Sequence, residues 1–239
     1  MKIQTNTRDF KLFKSLQIFI LKVVLPSIIF LIVIGALFKS KDIPFRYLVI
    51  DPNAFKGIPP YIGMISTLGI LFWCSSSAIS LFVAYILFKN DDLKEKKWAK
   101  FLFFSGWITM FLFLDDLFQI HEYYYRPFIN FIHIENSRLI ANLFESLFFL
   151  IYVIIILGYI HNFKILFKKT NYAILNLSLA SFLISVLVDI VTPESMPLHF
   201  FLEEGSKFLG IVIWCCYFLD CCYQQIQKNI TNKNYMLSD

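Results

Sequence analysis

The chain of 239 residues is 58% hydrophobic and 18% aromatic but only 16% charged, against the roughly 25% charged residues of a soluble domain. With a mean hydropathy of +0.65, a water-soluble fold of this length has no way to hide its apolar surface, and 8 Gly, 8 Pro and 5 Cys exclude collagen-like, disordered and disulfide-built chains. The net charge of +5 needs no nucleic-acid partner, because segments flanking membrane helices accumulate basic residues on one side. What remains is an all-α polytopic membrane protein embedded in the lipid bilayer. A bilayer-spanning helix needs about 20 mostly apolar residues. In chain order six stretches qualify, forming a single helical domain over residues 1–239: Ser15–Phe38, Tyr61–Phe88, Trp98–Tyr123, Arg138–Phe163, Tyr172–Thr192 and His199–Gln224.

The first stretch is too long for a cleaved leader, contains Lys22 and Pro26, and is followed by no small-residue cleavage site. It is expected to stay as an anchor, kinked at Pro26. The longest connection, Lys39–Pro60, holds the turn signals Asp51-Pro52-Asn53 and Pro59-Pro60 and reads as an ordered cap. In the second stretch Gly63, Ser66, Trp73, Ser76 and Ser80 follow helical spacing, with Gly69 nearby, a pattern of close helix packing. In the last, Cys215-Cys216 and Cys221-Cys222 lie on one helix and cannot enclose a metal tetrahedrally, so they read as small packing residues. If both termini are cytoplasmic, the inner segments carry fourteen Lys and Arg and the outer ones six. That asymmetry favours both termini on the cytoplasmic side of a plasma membrane.

Charges within the spans are rare and costly, and they mark function by default. The third span carries Asp115, Asp116 and Glu122, the fourth Glu145, the fifth Asp189, and the sixth Glu203 and Glu204. At about 1.5 Å per residue, Asp115 lies roughly 7 Å and Glu145 about 10 Å below the outer boundary. Asp189 and Glu203 are at the outer ends of their spans, so four helices deliver carboxylates to one layer. On continuous helices Asp115, Gln119 and Glu122 share a face, as do Ser178, Ser181, Ser185 and Asp189, and His199, Glu203 and Lys207. Seven carboxylates in the layer face at most five cations, counting His121, Arg126, Arg138, His199 and Lys207. Acids left over take up protons or bind a cation. The expected shell is therefore Asp115, Asp116, Glu145, Asp189 and Glu203, supported by His121, Glu122, His199, Glu204 and Lys207. It opens outward and takes protons or a divalent metal ion, and its oxygen-rich character suits Mg, Ca or Mn. A closed polar network in a structural or assembly protein is the alternative.

The runs Leu114-Asp115-Asp116-Leu117-Phe118 with His121-Glu122, and Glu203-Glu204-Gly205-Ser206-Lys207-Phe208-Leu209-Gly210, resemble those of uncharacterised multipass bacterial membrane proteins, cyanobacterial ones included. That resemblance covers most of the chain and implies a multipass fold without an activity. There is also a remote similarity to the alkaline ceramidase and adiponectin-receptor superfamily, which implies a metal-dependent intramembrane hydrolase acting on a lipid. Where that superfamily has a late His-x-x-x-His pair, this chain has His199 followed four residues on by Glu203.

Overall fold

The computed structural model describes residues 14–49, 59, 61–90, 92–120, 138–193, 195–196 and 198–236. Every regular element among them is helical: α1 Lys14–Lys39, α2 Arg46–Val49, α3 Met64–Phe88, α4 Leu93–Phe118, α5 Arg138–Phe167, α6 Tyr172–Val191 and α7 His199–Met236. All except α2 are long and apolar enough to cross a membrane, which establishes the all-α, six-span class.

Local chemistry explains the boundaries. Pro26 has no N–H to give to the carbonyl four residues back, and its ring crowds that carbonyl. The helix answers with a five-residue π segment, Ile20–Val24, while the Ser27 hydroxyl donates to the Val23 carbonyl at 2.8 Å. The α4 N-terminus is capped by Asp92, whose carboxylate accepts from the Lys94 N–H at 2.8 Å. Its C-terminus departs from expectation. α4 stops at Phe118, and Gln119 adopts the left-handed conformation with φ 51° and ψ 45°; the end of the expected third span, from His121 to Tyr123, lies outside the described residues. That turn breaks the helical register between Asp115 and Gln119; Glu122, the third residue of the expected stripe, lies outside the described residues. α7 instead outruns its expected end at Gln224, continuing to Met236.

The chain forms two compact units, one of residues 1–76 and 171–239 and the other of residues 77–170. In the first, α6 and α7 make the most extensive helix pair. Two features bring them together. The Ser178 hydroxyl donates to the Gly210 carbonyl at 2.8 Å, and a Cβ at Gly210 would stand 2.7 Å from the Phe182 ring, so only glycine admits this approach. Leu31, Leu48, Val49, Ile65, Phe208 and Val212 are packed together from α1, α2, α3 and α7. Trp73 stacks on Phe182 at 5.8 Å and meets Trp214 edge-on at 5.7 Å. The connection after α1 is ordered through Val49: α2 lies against α7, with Phe45 on Phe201 and the Arg46 guanidinium 5.0 Å over the Phe200 ring. Gly63, at φ 70°, turns the chain into α3 and donates its N–H to the Tyr47 carbonyl at 2.9 Å. Most of that connection's remainder lies outside the described residues.

The second unit repeats the device. The Ser77 hydroxyl donates to the Gly106 carbonyl at 2.9 Å, and a Cβ at Gly106 would meet Leu81 at 2.6 Å. Phe101 sits among Tyr159, Phe163 and Phe167 at ring distances of 5.2 to 5.8 Å. Ser105 and Tyr159 join hydroxyl to hydroxyl at 2.5 Å. Of the residues expected to pack along the second span, Trp73 and Ser76 in the first unit and Ser80 in the second are buried. Cys215, Cys221 and Cys222 are likewise buried, and all five cysteines are free.

Candidate metal centre

α6 ends because Thr192 precedes Pro193, and a residue before proline is pushed out of the helical region. Thr192 is extended at φ −104° and ψ 136° while its N–H still closes the last turn on the Val188 carbonyl at 2.9 Å. The chain reverses within a few residues. The Met196 N–H donates to the Pro193 carbonyl at 2.9 Å, and the His199 N–H to the Met196 carbonyl at 3.0 Å. This tight return sets the last turn of α6 beside the first turns of α7.

Three ligand-bearing side chains meet there. Asp189, His199 and Glu203 each place a nitrogen or oxygen within 4.8 Å of the others, the one such group among the described residues. The His199 ring is 1% exposed. Its Nε2 lies 3.0 Å from Glu203 Oε2, one turn on along α7, and its Nδ1 lies 2.7 Å from the Thr192 hydroxyl. Asp189 is exposed and Glu203 half-buried. Donor atoms at such separations can converge on one cation: two ligands each about 2.1 Å from a metal ion are about 3.0 Å apart at a right angle and about 3.4 Å apart at the tetrahedral angle. Asp189 is in the last turn of α6, where no basic residue stands. The negative end of the helix dipole adds there to the carboxylate charge, so the place attracts cations.

The expected site residues fall out as follows. Asp189 and Glu203 come together, with His199, expected only as a support, as their third member. Glu204 and Lys207 are half-buried along α7, both engaged in interactions of their own. Asp115 and Asp116 belong to the second unit, in the last turn of α4. Asp115 is buried there, and Tyr152 of α5 lies within electrostatic reach of both. The Glu145 side chain, His121 and Glu122 lie outside the described residues. Sequence reasoning missed Thr192. Its signal was available: the residue lies at i+3 from Asp189 and before a proline, where a hydroxyl at a helix end meets the next helix.

Comparison with known proteins places the chain without assigning it an activity. None of the curated proteins and none of the solved structures matches it significantly. One family model covers residues 24–221, a stretch that includes all six spans in whole or in part and the entire Asp189–Glu203 region. The chain belongs to that family, described as Domain of unknown function (DUF8692).

Proposed function

We propose that this is a multi-pass protein of the bacterial plasma membrane that binds a divalent cation through Asp189, His199 and Glu203. The observation that carries the reading is the meeting of a buried imidazole with two carboxylates within 4.8 Å. Two carboxylates beside one imidazole bring more negative charge than the ring can offset, which favours a shared cation. Both termini are placed in the cytoplasm by the fourteen-to-six distribution of basic residues, which puts the site at the outward end of α6 and α7. The test is thermal unfolding of the detergent-purified chain titrated with Mg2+, Ca2+, Mn2+ and Zn2+. A bound ion stabilises by about 2.7 kcal/mol at a hundredfold excess over its dissociation constant. One of the four should raise the unfolding midpoint in a saturable way; no response to any of them contradicts the reading.

A second reading, a metal-dependent hydrolase acting on a lipid, draws support from the number of ligands. Three protein atoms leave a coordination position for water, as catalytic metal sites do, and the similarity to the alkaline ceramidase superfamily points the same way. Hydrolysis of a fluorescent lipid amide or ester, abolished by chelation, would favour it over a binding role.

A further inference from the structure

We infer that Thr192 is the positioning residue of this centre, fixing which His199 nitrogen binds the ion, and that the ion is a first-row transition metal such as Zn2+ in preference to Mg2+ or Ca2+. The inference rests on the cation-site reading and specifies its chemistry. A threonine hydroxyl has one hydrogen to give. Here it points at the Val188 carbonyl, 2.7 Å away, which can only accept. Toward the His199 ring the same oxygen therefore presents a lone pair, and Nδ1 at 2.7 Å must be the nitrogen that carries hydrogen. A metal-binding imidazole is neutral and has one N–H, so with that hydrogen on Nδ1 the nitrogen that binds the ion is Nε2. It lies 3.0 Å from Glu203 Oε2, the separation of two ligands on one ion. A metal-binding histidine commonly donates its other ring N–H to a nearby oxygen, which fixes the tautomer and the ring's orientation.

The ligand set then selects the ion. One imidazole nitrogen with two carboxylates suits zinc and its first-row neighbours, whereas Mg2+ and Ca2+ favour oxygen throughout. Among the described residues the inference gives Thr192 a defined part. Its hydroxyl passes the Val188 carbonyl's constraint to the ring and leaves Nε2 as the donor.

Two measurements test this on the full-length detergent-purified protein. In the first, Zn2+ affinity is read from the unfolding midpoint for wild type, Thr192→Val and Thr192→Ser. Valine keeps the shape without the acceptor and should weaken Zn2+ binding about 10- to 100-fold; serine restores the oxygen and should restore the affinity. In the second, nitrogen NMR of 15N-histidine-labelled wild type without metal reads the tautomer, with His199→Gln identifying the ring, so the outcome does not depend on any Thr192 variant folding. Hydrogen on Nδ1 supports the inference. Hydrogen on Nε2, or a Thr192→Val protein with wild-type Zn2+ affinity, overturns it. Stabilisation of the wild type by Mg2+ or Ca2+ but not by Zn2+ overturns the metal class and leaves the cation site standing; no response to any ion removes both.

Discussion

The two acids around His199 differ in setting, and that difference sets what their removal should do. Glu203 is half-buried one turn after His199 and touches its Nε2 at 3.0 Å, whereas Asp189 is open at the end of α6. Each is a proposed direct ligand, so losing either should cost more than the about 10- to 100-fold lost with a supporting hydrogen bond. Glu203→Gln and Asp189→Asn nearly preserve shape while removing a charge. Isothermal calorimetry on the purified variants should show metal affinity reduced at least a hundredfold by Glu203→Gln, with a comparable loss for Asp189→Asn. Unchanged affinity in either would remove that residue from the centre. The sequence exposed these acids because ionisable residues within apolar spans stand out against their background. It ranked His199 below them because face arithmetic on a single helix cannot show what a neighbouring helix brings. The Thr192 hydrogen bond, like the approach of Asp189, exists only once Pro193 has turned the chain back.

At the level of elements, one device joins helices in both units: a serine hydroxyl on one helix gives its hydrogen to a glycine carbonyl on the next. Ser178 with Gly210 draws α6 to α7, and Ser77 with Gly106 draws α3 to α4. Between membrane helices, tight packing and interhelical hydrogen bonds carry the association. The missing glycine side chain is therefore the essential part. A Cβ at Gly210 would lie 2.7 Å from Phe182, and one at Gly106 would lie 2.6 Å from Leu81, while nothing stands within 4 Å of one at Gly158. Gly210→Ala and Gly106→Ala should each destabilise by about 1–3 kcal/mol, the cost of overpacking. Gly158→Ala should be neutral or stabilise by up to about 1 kcal/mol, because alanine is the better helix former. Detergent-phase thermal unfolding of the three variants checks this, and equal behaviour of all three would refute the close-approach interpretation. Ser178→Ala should cost about 0.6 kcal/mol, the usual worth of such a bond in a membrane protein.

Element boundaries were less legible than element existence. All six spans follow from length and hydropathy, and α6 ends within one residue of its expected end, because proline announces a stop. The end of α4 gave no such notice. Gln119 is a good helix former in an apolar run; its N–H still closes the last turn on the Asp115 carbonyl, and the left-handed turn that follows is not encoded in the periodicity. The far end of α7 was missed for the opposite reason. Its polar run from Gln224 onward cannot lie in hydrocarbon, so the span had to end there, yet the helix continues without the membrane.

For the whole molecule, α7 carries the largest burden of burial: 67% of its most apolar stretch is buried, against 6% for α1. α1 thus presents its side chains mainly outward, as a lipid-facing anchor does. At 38 residues, α7 measures roughly 57 Å at 1.5 Å per residue, well beyond the about 30 Å of the hydrocarbon core. In the proposed orientation Glu203 is near the outer face, and the excess would project from the other, carrying Lys228 and Lys233. The proposed orientation puts this end in the cytoplasm, the side on which basic residues collect. Reporter fusions after Lys94 and Lys168 should report cytoplasm, and fusions near Lys56 and Glu194 the opposite side. Reversal at two of these positions would overturn the orientation. Most direct of all is the metal content of the whole protein. After equilibrium dialysis against Zn2+ and removal of loosely held ions, elemental analysis of the purified chain should find one ion per wild-type molecule and none in the Asp189→Asn, Glu203→Gln double variant. Equal metal content in the two proteins, or none in the wild type, would contradict a cation centre at Asp189, His199 and Glu203.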